Sequence, residues 1–329
     1  DWFGVGADDM LIWTRGTTEA INLVAFGWAK RHIKAGEEIV VSLAEHHANF
    51  VPWQQLQRYG VKVIYCPLTT DGQICLDDLE ACLTPKTRLV ALHFASNVTG
   101  IIQPIDEISA LVRANGAKIL IDAAQVGAHL QFSFSQLDVD FVALSAHKMY
   151  GPTGIGALLS KPERLEEMDP VMFGGEMVAR VTLDDVQFAQ LPLRFEAGTP
   201  NIIGAIGWHA AVQWLASQDL KAIRTHEHQL TQRLLHGLKS IPGLRLLGEP
   251  GLPRVPLLSF VIDGIHPYDV ATLLDEQGVM VRAGQHCAHP LYEKWHLPGA
   301  VRISIGVYNT ENDIDQCLNA LEYALDLLQ

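Results

Sequence analysis

Short apolar, β-branched runs recur along the first half of this chain, and amphipathic stretches separate them. The runs Met10–Thr14, Glu38–Ser42, Val61–Cys66, Arg88–Phe94, Lys118–Asp122, Phe141–Ser145 and Gly156–Ser160 read as strands. Between them, Thr17–Lys30, Ala48–Arg58, Leu76–Leu83 and Ile105–Asn115 carry the helical period. Val90-Ala91-Leu92 and Ile119-Leu120-Ile121 are continuously apolar, as suits strands covered on both faces of a parallel sheet. Strand–helix alternation of this kind predicts an α/β fold with right-handed crossovers. The rhythm changes near residue 200. Ile202–Ala216 and Leu220–Leu238 read as successive helices, and Leu257–Ile262 as a strand. Pro267–Gln277 follows as a helix, then Val279–Arg282 and Val301–Ser304 as short strands. Glu311–Leu328 is a last amphipathic helix behind the cap signal Asn309-Thr310. The domain boundary is expected at about residue 205.

Composition narrows the class. With 329 residues, 48% of them hydrophobic and 19% charged, the chain has material for a large core, which excludes intrinsic disorder. Its length favours two domains. A net charge of −13 argues against nucleic acid and anionic membrane surfaces as partners. No apolar run approaches a spanning helix. The opening Asp1-Trp2-Phe3-Gly4 lacks a leader pattern. Cys66, Cys75, Cys82, Cys287 and Cys317 are odd in number and scattered, without a Cys-x-x-Cys pair. They make neither a disulfide framework nor a zinc ribbon, and a reducing cytoplasm is the expected location.

Five segments can carry chemistry. Lys148, in Ser145-Ala146-His147-Lys148, falls just past the carboxyl end of an apolar strand, where ligands of open α/β sheets sit. The glycine-rich Gly151–Gly156 follows it. Such a lysine can form a Schiff base with an aldehyde cofactor, or be an ordinary loop lysine. Asp122 ends another strand, either as a turn residue or as a carboxylate facing the same crevice. Pyridoxal phosphate needs that pair, because the lysine holds the aldehyde carbon and the carboxylate keeps the pyridine nitrogen protonated. Arg15-Gly16-Thr17-Thr18-Glu19 joins a strand to a helix, an arrangement that binds phosphate or simply caps the helix. Glu45-His46-His47-Ala48-Asn49 offers a histidine to stack on a ring or shuttle protons. Adjacent helical histidines point about 100° apart, so they do not easily share one metal ion. Arg282–Pro290 reads as a loop, in which Cys287 alone among the cysteines has polar and cationic neighbours that favour a nucleophilic thiolate. The other four thiols read as small buried hydrophobes. His286-Cys287-x-His289 lacks an evident fourth ligand for a metal. Arg302, on a short strand, can clamp a carboxylate or sit at a strand edge.

Taken together, these segments resemble the fold-type I pyridoxal-phosphate enzymes of the class-V aminotransferase family. Within them they resemble the group II cysteine desulfurases, of the Suf and CSD type. The resemblance runs nearly end to end. It is carried by Arg15–Glu19, Glu45–Asn49, Ser96-Asn97-Val98-Thr99-Gly100, Asp122–Gln125, Ser145–Gly154, Phe195–Asn201, Arg282–Ala288 and Val301-Arg302. It implies a mostly parallel seven-stranded sheet in a large cofactor domain over residues 1–205, with a smaller α+β domain over 206–329 that carries the cysteine loop. It implies that Lys148 holds pyridoxal 5′-phosphate and later moves the substrate α-proton. Asp122 would pair with the ring nitrogen, Gln125 with the phenolic oxygen, and His46 would stack on the ring and relay protons. Thr17, Thr18, Ser145 and His147 would bind the phosphate, with Thr199 reaching in from the other subunit of a homodimer. Asn97, Arg282 and Arg302 would hold the substrate carboxylate. Cys287 would take the sulfur of L-cysteine as a persulfide and release alanine, with L-selenocysteine as a second substrate. A sulfur acceptor of the SufE/CsdE type and a place in iron–sulfur cluster assembly follow from the same resemblance, which brings no metal to the site.

Two departures accompany it. Ala146 stands where many relatives have Gly. Only 15 residues precede Gly16, where relatives have several dozen, including an Asp-Ser-Ala-Ala-like segment and a His-Arg pair. The competing readings are another fold-type I lyase or epimerase, which needs Lys148 but no thiol, and a cofactor-binding protein inactive for lack of that segment.

Overall fold

The computed structural model describes residues 2–69 and 71–328, so Asp1 of the opening segment lies outside it. Seven strands form the larger sheet: β1 (Met10–Thr14), β2 (Glu38–Ser42), β3 (Lys62–Cys66), β4 (Thr87–His93), β5 (Lys118–Asp122), β6 (Phe141–Ser145) and β7 (Gly156–Ser160). Their order is β1-β7-β6-β5-β4-β2-β3. The pairs from β6 to β3 are parallel, while β7 runs antiparallel to both β6 and β1. Every residue of β2, β6 and β7 is buried, which is why these strands read as unbroken apolar runs rather than alternating ones.

The strands are linked through α1 (Thr17–Leu23), α2 (Lys30–His32), α3 (Val51–Leu56), α4 (Leu76–Cys82), α5 (Ile105–Asn115), α6 (Pro162–Glu166) and α7 (Ile202–Ser217). The helix expected over Thr17–Lys30 is not uniform: α1 passes through a π-helical segment, Val24–Ala29, into α2. Gly27 lies in that segment, and a Cβ there would stand 2.6 Å from the Asp169 carbonyl oxygen. The widened turn and the glycine together let Asp169 N–H donate to the Gly27 carbonyl at 3.0 Å. The stretch expected as a helix over Ala48–Arg58 is likewise divided, with 3₁₀ turns at His47–Asn49 and Gln57–Tyr59 flanking α3. Ile12, Ile21, Trp53, Leu89, Leu120 and Phe141 belong to the core that packs on this sheet.

The chain divides into two compact units. One holds the residues up to Pro67 with Leu76–Phe94 and Pro104–Ser217, and the other holds Leu68–Cys75, Ala95–Gln103 and everything from Gln218 onward. Position 205 falls inside α7, which belongs whole to the first unit. In the first unit, β8 (Val178–Val181) and β9 (Val186–Phe188) make a hairpin of their own. The second unit has a four-stranded antiparallel sheet of β10 (Leu244–Leu247), β11 (Leu257–Ile262), β12 (Arg282–Gly284) and β13 (Ala300–Ser304), in the order β10-β11-β13-β12. With it come α8 (Leu220–Lys239), α9 (Pro267–Glu276), α10 (His289–Trp295) and α11 (Glu311–Leu328). Leu234, Phe260, Leu274, Val301 and Leu321 knit sheet and helices into a second core.

One expected strand is displaced. Val279–Arg282 is not a strand, because the Val279 N–H closes the end of α9 on the Leu274 carbonyl at 2.9 Å, and pairing starts only at Arg282. The segment read as a loop over Arg282–Pro290 is therefore a strand, a tight turn and the start of α10.

Candidate functional site

In the first unit the functional candidates gather at the carboxyl ends of adjacent strands. Asp122 is the last residue of β5, and Lys148 stands in the 3₁₀ turn Ala146–Lys148 directly after β6. The two strands pair in parallel with Asp122 level with Ala143. Asp122 is 7% exposed, and its Oδ1 accepts the Ala124 N–H at 2.9 Å. Burial raises its carboxyl above the ordinary carboxylate range, while the charge on Lys148 and the Ala124 N–H pull the other way. Lys148 and Gln125 are half-buried. A buried acid facing a lysine at two strand ends can hold a cationic heterocycle and present an amine to it.

Four further side chains come together beside the start of α1. The Thr17 N–H donates to Ser145 Oγ at 2.8 Å, and the Thr17 hydroxyl meets the same oxygen at 2.8 Å. Thr17, Thr18, Ser145 and His147 line a cleft of about 530 Å³. Gly16 adopts φ +148, and a Cβ on it would lie 3.1 Å from Ser145 Oγ. Gly156 comes closer still, since its Cβ would sit 2.5 Å from Gly16 Cα. Both glycines are required by the closeness of β7 and β6 to the turn that opens α1. Burial, and then Lys148, push the His147 imidazole below its usual range, so it is neutral near pH 7. Thr199 is exposed in the segment that precedes α7.

His46 is half-buried, and its Nδ1 accepts the Ala48 N–H at 3.0 Å, capping the short turn that follows. The His46 and His47 rings lie 6.3 Å apart and tilted by 50°. Among the described residues no group of three or more His, Cys, Asp or Glu side chains is placed to hold a metal ion.

In the second unit Cys287 sits between β12 and α10, half-buried as a free thiol. It and His286 are consecutive non-glycine residues in the left-handed region, φ +57 and +49. The turn is tied down by Asn97, whose Nδ2 donates to the His286 carbonyl at 2.6 Å, and Arg302 Nη1 donates to the Asn97 carbonyl at 2.9 Å. Arg302 is level with Arg282 across the β12–β13 pair. Burial, then Arg282, bring the Arg302 guanidinium down to about 10, so it keeps its charge at neutral pH. Among the described residues its buried Nε has no partner, nor has the Tyr292 hydroxyl. Tyr292 is fully buried on α10, and its ring meets that of His286 edge-on at 6.0 Å. Burial, with Arg302 and Arg282, pushes His286 down to about 3, so the imidazole is neutral. Such orphaned donors beside a charged guanidinium suit a small anionic guest.

Of the four thiols expected to be small buried hydrophobes, two are so and two, Cys75 and Cys82, are only half-buried. Cys66 ends β3 and Cys317 lies in α11, both buried, and burial pushes the Cys317 thiol up to about 11.

The class-V aminotransferase model matches residues 1–317. The chain belongs to the class-V aminotransferase family. This class-V chain is 44% identical over 328 residues to a Vibrio cholerae protein named “Probable cysteine desulfurase”, covering 99% of itself and 81% of that protein. A Pseudomonas aeruginosa protein of the same name is 45% identical over 329 residues, again with 81% of its length covered. Among solved structures, the class-V chain superposes on the cysteine desulfurase CsdA of Escherichia coli with a TM-score of 0.93 at 41% identity, over 96% of this chain and 79% of that one. The apo cysteine desulfurase of Thermococcus onnurineus NA1 gives a TM-score of 0.94 at 35% identity, over 99% and 81%. The seven-stranded, mostly parallel sheet is thus that of the fold-type I pyridoxal-phosphate enzymes.

The sequence reading passed over three members of these constellations. Tyr292 is one, placed by α10, whose start is signalled by Pro290 in its first turn. His93 and Glu45, both buried next to Asp122, are the others. A histidine closing an otherwise apolar strand is the signal that would have found His93.

Proposed function

We propose that this chain is a pyridoxal-phosphate-dependent cysteine desulfurase. The observation that carries the reading is the meeting of Asp122 and Lys148 at the ends of β5 and β6, in a family whose members named above are cysteine desulfurases. The residues fit the cofactor. Asp122 is a buried carboxyl group placed to pair with a protonated ring nitrogen, and Gln125 can bond the phenolic oxygen. His46 offers a ring to stack. Thr17, Thr18, Ser145 and His147 offer hydroxyl, amide and imidazole donors to a phosphate, in a cleft whose glycines leave no Cβ in the way. When bound, pyridoxal phosphate supplies an electron sink at the substrate α-carbon.

The chain's own residues then divide the labour. Lys148 would anchor the cofactor aldehyde, and its amine is placed to carry the substrate α-proton. Arg302, with Asn97 and Arg282, holds the carboxylate of L-cysteine, which fixes the substrate's orientation. The Cys287 thiolate attacks the substrate sulfur. An S–S bond forms on Cys287, the Cβ–S bond breaks, and its electron pair stays on Cβ, which takes up a proton. L-Alanine leaves and Cys287 remains as a persulfide. L-Selenocysteine fits the same contacts. A homodimer, with Thr199 crossing the interface to the phosphate, is supported by the exposed apolar side chains of α7. A cytoplasmic site is supported by five free thiols, and a SufE/CsdE-type acceptor and a place in iron–sulfur cluster assembly are part of the same proposal.

The test is incubation with L-cysteine and a reductant, with alanine and sulfide measured together. Equal amounts of both are expected from the wild type and none from Lys148→Ala. Borohydride reduction followed by peptide mapping is expected to place the cofactor on Lys148. A label on another lysine overturns the assignment, and sulfide with pyruvate in place of alanine makes the chain a lyase.

A further inference from the structure

Behind Asp122 lies a second buried pair that the reaction above does not use. Glu45, in the turn after β2, is 0% exposed, and His93, the last residue of β4, is 4% exposed. Glu45 Oε1 accepts from His93 Nδ1 at 2.7 Å, from the His93 backbone N–H at 3.1 Å and from the Ser42 hydroxyl at 2.6 Å. Its Oε2 accepts from Asn49 Nδ2 at 2.7 Å, and Asn49 is itself held by Trp53 Nε1 at 3.0 Å. Both oxygens are thus used as acceptors, and the contact fixes a proton on His93 Nδ1.

His93 and Asp122 are register partners on neighbouring parallel strands, locked by the Phe94 N–H donating to the Asp122 carbonyl at 2.9 Å. Register partners on adjacent strands point to the same face, about 4.8 Å apart. Two carboxyl groups, Glu45 and Asp122, are therefore buried on one side of the sheet with an imidazole for company. Like charges in such a place suppress one another's ionisation unless a cation accompanies them. Lys148 is one such cation, but its amine is the group that has to give up and regain its proton during turnover. The His93 imidazole is held by the Glu45 carboxylate and takes no part in that proton transfer.

We propose that His93, kept as an imidazolium by Glu45, is a positioning residue for Asp122: it supplies a fixed positive charge beside that carboxylate. The inference rests on the reading of Asp122 as the partner of the cofactor's ring nitrogen. The electrostatics agree in direction. Burial opposes charging of His93, yet Glu45 and Asp122 outweigh it and raise the imidazole above its ordinary value. On Asp122, burial and Glu45 favour the neutral acid, and Lys148 and His93 favour the anion. The charged groups facing the pair are Glu45, Asp122 and Lys148. Removing the imidazolium pushes Asp122 further up, so its anion survives only to a higher acid limit.

The test is the affinity for pyridoxal phosphate as a function of pH, read by absorbance and by protein fluorescence, with no substrate present. His93→Gln keeps a donor to Glu45 and removes the charge. The expected result is an acid limb of binding moved up by about one pH unit or more. Glu45→Gln takes away the negative charge together with the positive one it sustains, so a smaller displacement than that of His93→Gln is expected. Superimposable profiles for wild type and His93→Gln overturn the proposal. Should His93→Gln fail to fold, NMR of ring-labelled histidine in the wild-type holoprotein decides, and a neutral His93 at pH 7 overturns the idea. If the wild type takes up no pyridoxal phosphate at any pH, the cofactor reading itself has failed and this inference falls with it. Binding without alanine production removes the proposed activity and leaves this inference standing.

Discussion

Cys287 and His286 hold backbone angles that cost roughly 1–3 kcal/mol each for residues other than glycine, and the Asn97 and Arg302 hydrogen bonds hold them there. A thiol fixed in such a turn is presented in one direction. Cys287→Ser is expected to leave cofactor uptake and the response of its spectrum to cysteine intact and to abolish sulfide release. Peptide mass spectrometry of the wild type after cysteine treatment is expected to find one added sulfur atom on Cys287. Added sulfur chiefly on Cys66, Cys75, Cys82 or Cys317 would assign the role elsewhere. His286 gives a pH prediction. Its folded value, about 3, lies below its ordinary 6.5, so the folded state prefers the neutral ring. Its contribution is complete above about pH 6.5 and is lost as pH falls toward 3. Asparagine tolerates a left-handed backbone and does not titrate in this range. From about pH 7 to about pH 5, wild type is expected to lose about 2 kcal/mol relative to His286→Asn. Urea unfolding of both proteins across that range checks it, and parallel curves would refute it. The polar members of the two constellations were legible in the sequence wherever a reactive residue closed an apolar run, as Asp122 and Lys148 do. Tyr292 and Glu45 were not, because their importance lies in burial, which a single sequence does not display.

At the scale of elements, legibility followed burial. Strands β2, β6 and β7, buried throughout, coincide with the apolar runs that announced them. The hairpin of β8 and β9 escaped notice because three of the four residues of β8 face solvent and no core fixes an alternation. The short edge strand β10 escaped for want of length. The π-helical segment in the middle of the first helix leaves no period of its own in the sequence, and only Gly27 hints at it. Helix α8, read from its pattern alone, starts at a cap: Asp219 accepts the Lys221 and Ala222 N–H groups, both at 3.0 Å. Asp219→Ala is expected to cost about 1 kcal/mol of stability and to leave cofactor affinity unchanged. Chemical denaturation beside a cofactor titration separates the two effects, and a loss of affinity would mean that the cap reaches the site.

At the scale of the whole molecule, α7 stands out. It is apolar around its circumference, and Ile203 and Ile206 are 85% and 65% exposed. Residues three apart share a helix face, and an exposed apolar strip of this kind marks a contact surface. If a second copy covers it, Ile203→Glu is expected to give a monomer by light scattering. With Thr199 just ahead of α7, the same variant is expected to bind pyridoxal phosphate at least tenfold more weakly. A dimer that survives the substitution would place the interface on another face.

Residues 95–103, like 68–75, belong to the second unit, yet they lie far ahead of its main body, which starts at Gln218. Ile101 bridges Arg254, and the Ser259 hydroxyl bonds to the Val98 carbonyl across 161 positions. During synthesis this short stretch leaves the ribosome long before the strands that receive it, and it waits between β4 and α5 with the bonds of Ile101 and Val98 to those strands unmade. Closure of the second unit is therefore a late, non-local event, slow by its loop length. Asn97 lies inside that stretch, so the hydrogen bond that fixes the cysteine turn cannot form until His286, 189 positions further along, has been made. A nascent chain acquires its thiol geometry only after that later segment has emerged.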